Sequence, residues 1–385
     1  MERTMGQQDD FPRLPEAFLR RVEGQLGAEL PDFLRACGEN ALRGIRINPL
    51  KKFAGLPVSE LEGAISWCEG AWYLGEGSAA GTTVEHEAGA FYIQEPSAMT
   101  PAAVMEAKPG EKILDLCAAP GGKSTQMGAA MRGSGLLVCN EPVIKRAKIL
   151  EAAAKLVRPG GRLVYSTCTF NPAENEEQVK AFLHRHSDFY PEGFSLPGAE
   201  GREGMLTCWP HRMKGEGQFI AKLRREESAE SQPAMEETFV KLSGEETRAI
   251  KDTVPGMPEP TGRLGHILFY LPGAPEVSGL QVLRMGLHIG EIRERRFIPD
   301  HASALCAFPP EASVTVLSEE EALRYMAGES IAGEAKGWTL MSWKGLILGW
   351  GKGSEGRIRN HYPKGLRNGR MEIGEVEAHD PKHRF

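Results

Sequence analysis

The chain carries no paired-cysteine motif. Its seven cysteines stand at positions 37, 68, 117, 139, 168, 208 and 306, an odd number without a Cys-x-x-Cys spacing. That argues against a disulfide framework and against a zinc site, so no metal is expected, and it suits the reducing cytosol. Long apolar runs are missing too. None approaches the ~20 residues of a membrane-crossing helix, and the polar stretch Met1 to Asp10 has no apolar core of the signal-peptide kind. The expected location is cytoplasmic, with no membrane partner. Nor is there an excess of basic residues: 46 Lys and Arg face 52 Asp and Glu, for a net charge of −6. Composition does not announce a nucleic-acid partner, so any such role rests on local patches. Internal repeats and long low-complexity segments are also absent. What remains is an ordinary globular balance, 41% hydrophobic and 25% charged over 385 residues, with room for two or three domains.

Against that background residues 112–124, Lys-Ile-Leu-Asp-Leu-Cys-Ala-Ala-Pro-Gly-Gly-Lys-Ser, stand out. Ile113 to Leu116 reads as a short apolar strand, Cys117 to Gly122 as a small-residue turn, and Lys123 as a helix start. Strand, glycine turn and helix is how an α/β sheet sets backbone N–H groups and a helix N-terminus against a charged ligand. Pro120 fixes φ, while Gly121 and Gly122 remove the side chains that would keep a ligand off the backbone. Six small residues in a row exceed the needs of a plain βα turn. A full Walker motif is excluded, because Cys117 holds its first glycine position and Gly122-Lys123-Ser124 matches only the second half.

The rest of the chain gives this turn a setting. A helix is predicted from Pro15 to Leu26 and a second around Pro31 to Cys37. Leu42 to Asn48 alternates as a half-buried strand does, with Arg43 and Arg46 on opposite faces. These pieces predict a small α+β domain over 1–85. From 86 to 225 the pattern is β/α: after the turn come a helix at 123–131, a strand from Gly135 to Asn140, a helix at 143–157 and a strand from Arg162 to Ser166. Residues 226–238 form an acidic, polar linker. Short strands between glycine and proline turns predict a mostly β module over 239–385. Its end is basic, with Lys344, Lys352, Arg357, Arg359, Lys364, Arg367 and Arg370 interleaved with Trp343, Trp350 and Tyr362.

Two further residues carry chemistry. Glu141 follows the second strand at about the interval from the glycine turn where a carboxylate accepts hydrogen bonds from a ribose. Cys168 lies in Tyr165-Ser166-Thr167-Cys168-Thr169-Phe170, just past the carboxyl end of a strand, where α/β sheets bind ligands. Cysteine is commonly a buried structural residue. The hydroxyl neighbours Ser166, Thr167 and Thr169 are a poor choice for an inert core, and a thiolate there is a candidate nucleophile.

Together these elements resemble the Sun-type family of S-adenosylmethionine-dependent RNA cytosine-5 methyltransferases, nearest its bacterial branch acting on small-subunit ribosomal RNA (RsmF-like). The resemblance rests on Leu114 to Ser124, Asn140-Glu141, and Ser166 to Thr169 with Glu174-Asn175-Glu176. Phe91 to Met99, Trp209-Pro210-His211, Gly349 to Lys352 and Asn360 to Lys364 add to it. It implies a Rossmann-like methyltransferase core between an RNA-contacting N-terminal domain and a PUA-like RNA-binding module. It implies S-adenosylmethionine as cofactor, with Cys117, Ala118, Ala119, Pro120, Gly121, Gly122 and Lys123 around its methionyl part and Glu141 on its ribose. It implies Cys168 as the nucleophile toward C6 of a cytosine in ribosomal RNA. The basic and aromatic residues of the last module suit phosphate contact and base stacking. No obligate protein partner is implied.

One stretch departs from the family. Only 20 residues, 142–161, separate Glu141 from Arg162, and one helix with one loop fills such a gap. The family's further strands, its adenine-side aspartate and its Asp-Ala-Pro-Cys loop have no place there. Cys139, inside the second strand, is no substitute. The join falls where Lys145 to Leu150 reads as one helix's start and Glu151 to Val157 as another's end, so the expectation is a shortened sheet with an internal segment lost. The rival expectation is an RNA-binding protein without catalysis.

Overall fold

The computed structural model describes residues 14–51, 60–141, 149–228, 242–306 apart from 274, 276 and 278, and 310–367. Most of the expected linker, part of the join at 145–155 and Arg370 lie outside these residues. The described residues fall into two compact units, one drawn from 1–50, 58–78 and 91–232, the other from 51–57, 79–90 and 233–385.

In the first unit, α1 (Glu16–Leu26) and α2 (Leu30–Cys37) bury Val22, Leu26 and Phe33 against Trp209. Strands β1 (Gly44–Ile47), β2 (Leu61–Ala64) and β3 (Ala71–Leu74) follow, while α3 (Val84–Glu87) belongs to the second unit. Strand β4 (Phe91–Gln94) pairs with β1 and completes an antiparallel sheet of order β2-β3-β1-β4. β1 lacks the expected alternation, since Gly44, Ile45 and Arg46 are all buried between β3 and β4; of the two arginines, Arg43 just before the strand is the exposed one.

Next come α4 (Thr100–Met105), β5 (Lys112–Asp115), α5 (Gly122–Ala130) and β6 (Leu136–Cys139), then α6 (Ile149–Leu156), β7 (Arg162–Thr167) and α7 (Glu176–Arg185). The unit ends with β8 (Phe189–Pro191), β9 (Phe194–Leu196), β10 (Ala199–Gly201), β11 (Met205–Cys208) and β12 (Gln218–Arg225). The mixed α/β class and the strand-turn-helix order are as expected, but the sheet is divided rather than merely short. β5 and β6 form a parallel pair alone, with Asp115 opposite Cys139. β7 ends a separate antiparallel sheet of order β11-β12-β7, with β8 also on β12.

Packing follows the division. The β5–β6 pair buries Ile113 with Ala102, Met127 and Met131 on one face. On its other face Leu114 and Val138, which are register partners, stand 38% and 41% exposed. The β12 sheet is covered on both sides, by Leu150, Ala154, Val179 and Phe182 on one and by Ile65, Trp67, Tyr73 and Met99 on the other. Ion pairs tie the pieces together. Buried Lys222 of β12 reaches Glu106 after α4 at 2.8 Å, and Arg162 of β7 pairs with Glu111 just before β5. The Lys222 hydrogen bond is the main cause that holds the Glu106 carboxyl below its usual range.

The second unit is mostly β, as expected. Helix α8 (Gly244–Thr253) opens with a capping box between Ser243 and Glu246. Strands β13 (Gly262–Leu264), β14 (Ile267–Tyr270), β15 (Leu287–Arg293) and β16 (Arg296–Pro299) make one antiparallel sheet. After α9 (His301–Leu305) come β17 (Ser313–Val316), α10 (Glu319–Met326), β18 (Ile331–Ala332), β19 (Gly337–Trp343), β20 (Leu346–Ser354) and β21 (Arg357–Asn360). Their sheet runs β17-β19-β20-β21-β18, and the unit's core holds Leu268, Ile289, Phe297, Trp338 and Trp350. Among the described residues of both units no helix is long and apolar enough to cross a membrane.

Candidate functional site

The glycine turn is held from beneath by the strand that leads into it. Asp115, the last residue of β5, is 8% exposed. Its carboxylate accepts the Cys117 amide at 3.0 Å and the Ser124 hydroxyl at 2.6 Å, closing both ends of the turn. Sequence reasoning gave Asp115 no role, although a carboxylate ending an apolar strand before a small-residue turn was a usable signal. The turn's other bonds also come from strand ends: the Ala118 amide donates to the Asn140 carbonyl at 3.2 Å and the Asn140 amide to the Asp115 carbonyl at 2.8 Å.

The outer surface of the turn faces solvent. Cys117, Ala119 and Pro120 are exposed. Gly121 has φ +117°, a conformation that L side chains rarely adopt, and a side chain on Gly122 would press on the Gln94 amide at 3.0 Å. Helix α5 then begins at Gly122 with no side-chain cap and no acidic residue in its first turn. A backbone cradle beside an uncapped helix start suits a negatively charged group. Lys123 stands half-buried in that first turn.

Glu141 is exposed, and its Oε2 accepts the Ala119 amide at 3.0 Å. The structure therefore brings Glu141 and the turn together through a direct bond, and the carboxylate keeps a second oxygen.

Cys168 sits just beyond β7 and is exposed. Its neighbours are pinned on both sides by one buried side chain. Asn175, 1% exposed, accepts the Thr167 hydroxyl at 2.5 Å and donates to the Thr169 carbonyl at 2.7 Å. Phe170 stacks on Trp209 at 4.7 Å, meets Phe33 edge-on, and has its carbonyl bound by Gln25 of α1 at 3.1 Å. The hydroxyl residues around Cys168 thus serve to fix a loop while the thiol faces outward. Cys68 and Cys208 differ sharply: burial pushes their thiols up to about 11 and about 12, so they are inert packing residues. Cys139 is exposed, on β6. Tyr165 of β7 donates to the Glu174 carbonyl at 2.7 Å, and burial is the main cause that raises its pKa.

The basic end of the second unit needs a correction. Trp343, Trp350 and Tyr362 are 4%, 1% and 3% exposed, so they pack the interior and are not available to stack on bases. Trp350 Nε1 donates to the Asp300 carbonyl at 3.0 Å and Tyr325 donates to the Trp350 carbonyl at 2.8 Å. The aromatics of this region lie in the core, while its charged side chains reach solvent. Lys344, Lys352, Arg357, Arg359 and Lys364 are exposed, and Lys352 and Arg359 are cross-strand partners.

Comparison with known proteins places these features. The family model of the N-terminal domain of 16S rRNA methyltransferase RsmF matches residues 14–96, its first C-terminal domain 250–306 and its PUA domain 312–368. The model for 16S rRNA methyltransferase RsmB/F matches 102–150 and 141–224, two pieces overlapping at 141–150. The ribosomal RNA small subunit methyltransferase F of Klebsiella pneumoniae (strain 342) is 27% identical, covering 94% of this chain and 98% of the relative. That of Vibrio parahaemolyticus (serotype O3:K6) is 27% identical over 92% and 97%. Among solved structures, a methyltransferase homolog protein from Pyrococcus horikoshii is 21% identical, with a TM-score of 0.44 over 55% of this chain and 100% of that one. The Klebsiella alignment runs over 471 positions and the chain has 385 residues, so at least 86 aligned positions carry no residue of this chain. With all four domain matches in chain order and the glycine turn and Cys168 loop in place, the chain belongs to the RsmF-like branch of the Sun family of 16S rRNA methyltransferases.

Proposed function

We propose that the site is that of an RNA cytosine-5 methyltransferase acting on small-subunit ribosomal RNA, and that this chain transfers methyl weakly or not at all. The observation that carries the first half is Cys168, exposed at a strand's carboxyl end with its neighbours pinned by Asn175. Cytosine C5 is a poor nucleophile until a thiolate adds to C6. Cys168 Sγ makes that bond, leaving an enamine reactive at C5. S-adenosylmethionine, when bound, supplies the methyl group that C5 takes. Loss of the C5 proton to a base then lets the thiolate leave. Residues 117–123 would hold the cofactor's methionyl end by backbone groups, and the Glu141 carboxylate would bind its ribose. The exposed basic residues of β20 and β21 take RNA phosphates, and the target base is reached in a loop, where unstacking is cheap.

The second half rests on the divided sheet and the divided family match at 141–150. The missing segment would have carried the residues that flank the cytosine and finish the reaction. An RNA-binding protein without transfer is the alternative that these two observations favour. Labelled methyl incorporation from S-adenosylmethionine into small-subunit ribosomal RNA tests both halves. The expected result is RNA binding with little incorporation, and a gain on inserting a relative's segment at the Leu150–Glu151 join that Cys168→Ser abolishes. Robust incorporation by the chain as it stands, lost in Cys168→Ser, overturns the claim of weak transfer. A restored chain whose transfer survives Cys168→Ser overturns the nucleophile.

A further inference from the structure

Arg46 lies outside both motifs, on β1, and is 6% exposed. Its hydrogen bonds go to neutral oxygens. Nε donates to Gln94 Oε1 at 2.9 Å, and a single Nη2 donates to both the Gly122 carbonyl and Thr125 Oγ1 at 2.8 Å. The guanidinium also lies over the Tyr92 ring, 5.3 Å from its centroid. A buried guanidinium is costly unless its donors are well used, and here two of its bonds end on the first turn of α5. Tyr92 adds a bond to the Pro120 carbonyl at 3.4 Å, and its hydroxyl stands 3.8 Å from where a Cβ on Gly121 would lie. Gln94 is itself fixed by its bond to the Ala98 carbonyl at 2.9 Å. The N-terminal sheet therefore forms one wall of the glycine turn.

We propose that Arg46 is a positioning residue for this turn: it clamps Gly122 and Thr125 against β1 and β4, so that cofactor affinity depends on a side chain of the N-terminal sheet. This rests on the reading of residues 117–123 as the cofactor cradle. The planar fork of arginine is needed, because a lysine ammonium cannot hold Gln94, Gly122 and Thr125 in one fixed geometry.

The test compares Arg46→Met, Arg46→Lys and Thr125→Val with wild type, by amide hydrogen exchange without cofactor and by calorimetric titration with S-adenosylmethionine. Arg46→Met is expected to speed exchange within 117–126 only and to weaken cofactor binding by about tenfold or more, the worth of a lost charge-assisted bond. Arg46→Lys recovers part of the loss. Thr125→Val loses less, and adding it to Arg46→Met costs nothing further. RNA affinity stays within about twofold. Unchanged exchange at 117–126 overturns the inference, as does faster exchange spread equally over 44–47 and 91–94. If Arg46→Met does not fold, Arg46→Lys and Thr125→Val carry the same comparison. A turn that loosens in the variants while the wild type binds no cofactor overturns the cradle reading instead.

Discussion

Asp115 offers the sharpest test of how the glycine turn is built. Its carboxylate serves the Cys117 amide and the Ser124 hydroxyl, and Ser124 is itself only 6% exposed. Asp115→Ala strands both donors where water does not readily replace the carboxylate. A hydrogen bond to a charged group contributes about 1.5–3 kcal/mol. Two such bonds, less the relief of no longer burying a carboxylate, amount to about 3–4 kcal/mol. Asp115→Asn is far milder. Its amide oxygen still accepts from Cys117, and the Ser124 hydroxyl can turn to accept from the new NH₂, for a cost of about 1 kcal/mol. Thermal unfolding followed by circular dichroism separates the two, since 1 kcal/mol moves the midpoint of a cooperative unit of 150–250 residues by about 2–4 °C. The alanine variant is expected to melt about 6–16 °C below wild type and the asparagine variant about 2–4 °C below. Equal midpoints for alanine and asparagine refute the reasoning, because the carboxylate would then hold neither end of the turn.

Three other outcomes follow from particular contacts. Leu114→Thr combined with Val138→Thr is expected to leave stability within about 0.5 kcal/mol while lowering dye binding and light scattering, because both residues stand in solvent; a loss above about 2 kcal/mol would show that something covers that face. Glu29 is held at about 2 rather than 4.5, by the Arg212 hydrogen bond first and the His211 hydrogen bond second. A depressed folded value means that its contribution is whole above about pH 4.5 and is lost as pH falls toward 2. Glu29→Gln is expected to flatten the stability curve across that window, and parallel curves for the two proteins refute the assignment. Lys352→Ala and Arg359→Ala are each expected to cut the slope of log binding constant against log salt for RNA by about one, evenly across sequences, and an unchanged slope removes them from the interface.

What the sequence made legible was local. Strand, turn and helix around 112–130 depend on neighbours in the chain, so spacing and small residues were enough to place them. The loop around Cys168 was legible for the same reason, since Thr167, Thr169 and Asn175 close it within nine positions. What stayed hidden was long-range. Alternation put Arg43 and Arg46 on opposite faces but held no sign of which one would be buried under the glycine turn, because Gly122 and Thr125 lie 76 and 79 positions away. The Phe33–Phe170–Trp209 cluster joins three distant segments in the same way. At the basic end, counting aromatics beside lysines could not separate an RNA-facing surface from a core with a charged rim. Burial along the strand decides it: Trp350 is 1% exposed while Lys352, on the same face of β20, reaches solvent beside the Trp338 ring.

The sheet is divided between the two motifs, so each motif is held by its own local bonds. Among the described residues β5 pairs with β6 alone and β7 with β12 alone, and both lie in the same unit. A parallel pair is ordinarily buried on both faces within a larger sheet, yet Leu114 and Val138 are left in water on one side. Strands placed between β6 and β7 in the chain would supply both pairing and cover, and the family match breaks at 141–150, between those two strands. The glycine turn is held by Asp115 and Arg46, and the Cys168 loop by Asn175. None of these bonds joins the glycine turn to the Cys168 loop, so each half-site keeps its own shape. The distance between the halves has no such support. With the central pairing gone, the ion pairs of Arg162 and Lys222 with Glu111 and Glu106 link the β5 side to β7 and β12. Binding at either half asks only for local order. The proposed transfer needs Cys168 and the turn at one fixed spacing, so transfer is expected to be lost before binding; transfer retained where cofactor binding is lost refutes this.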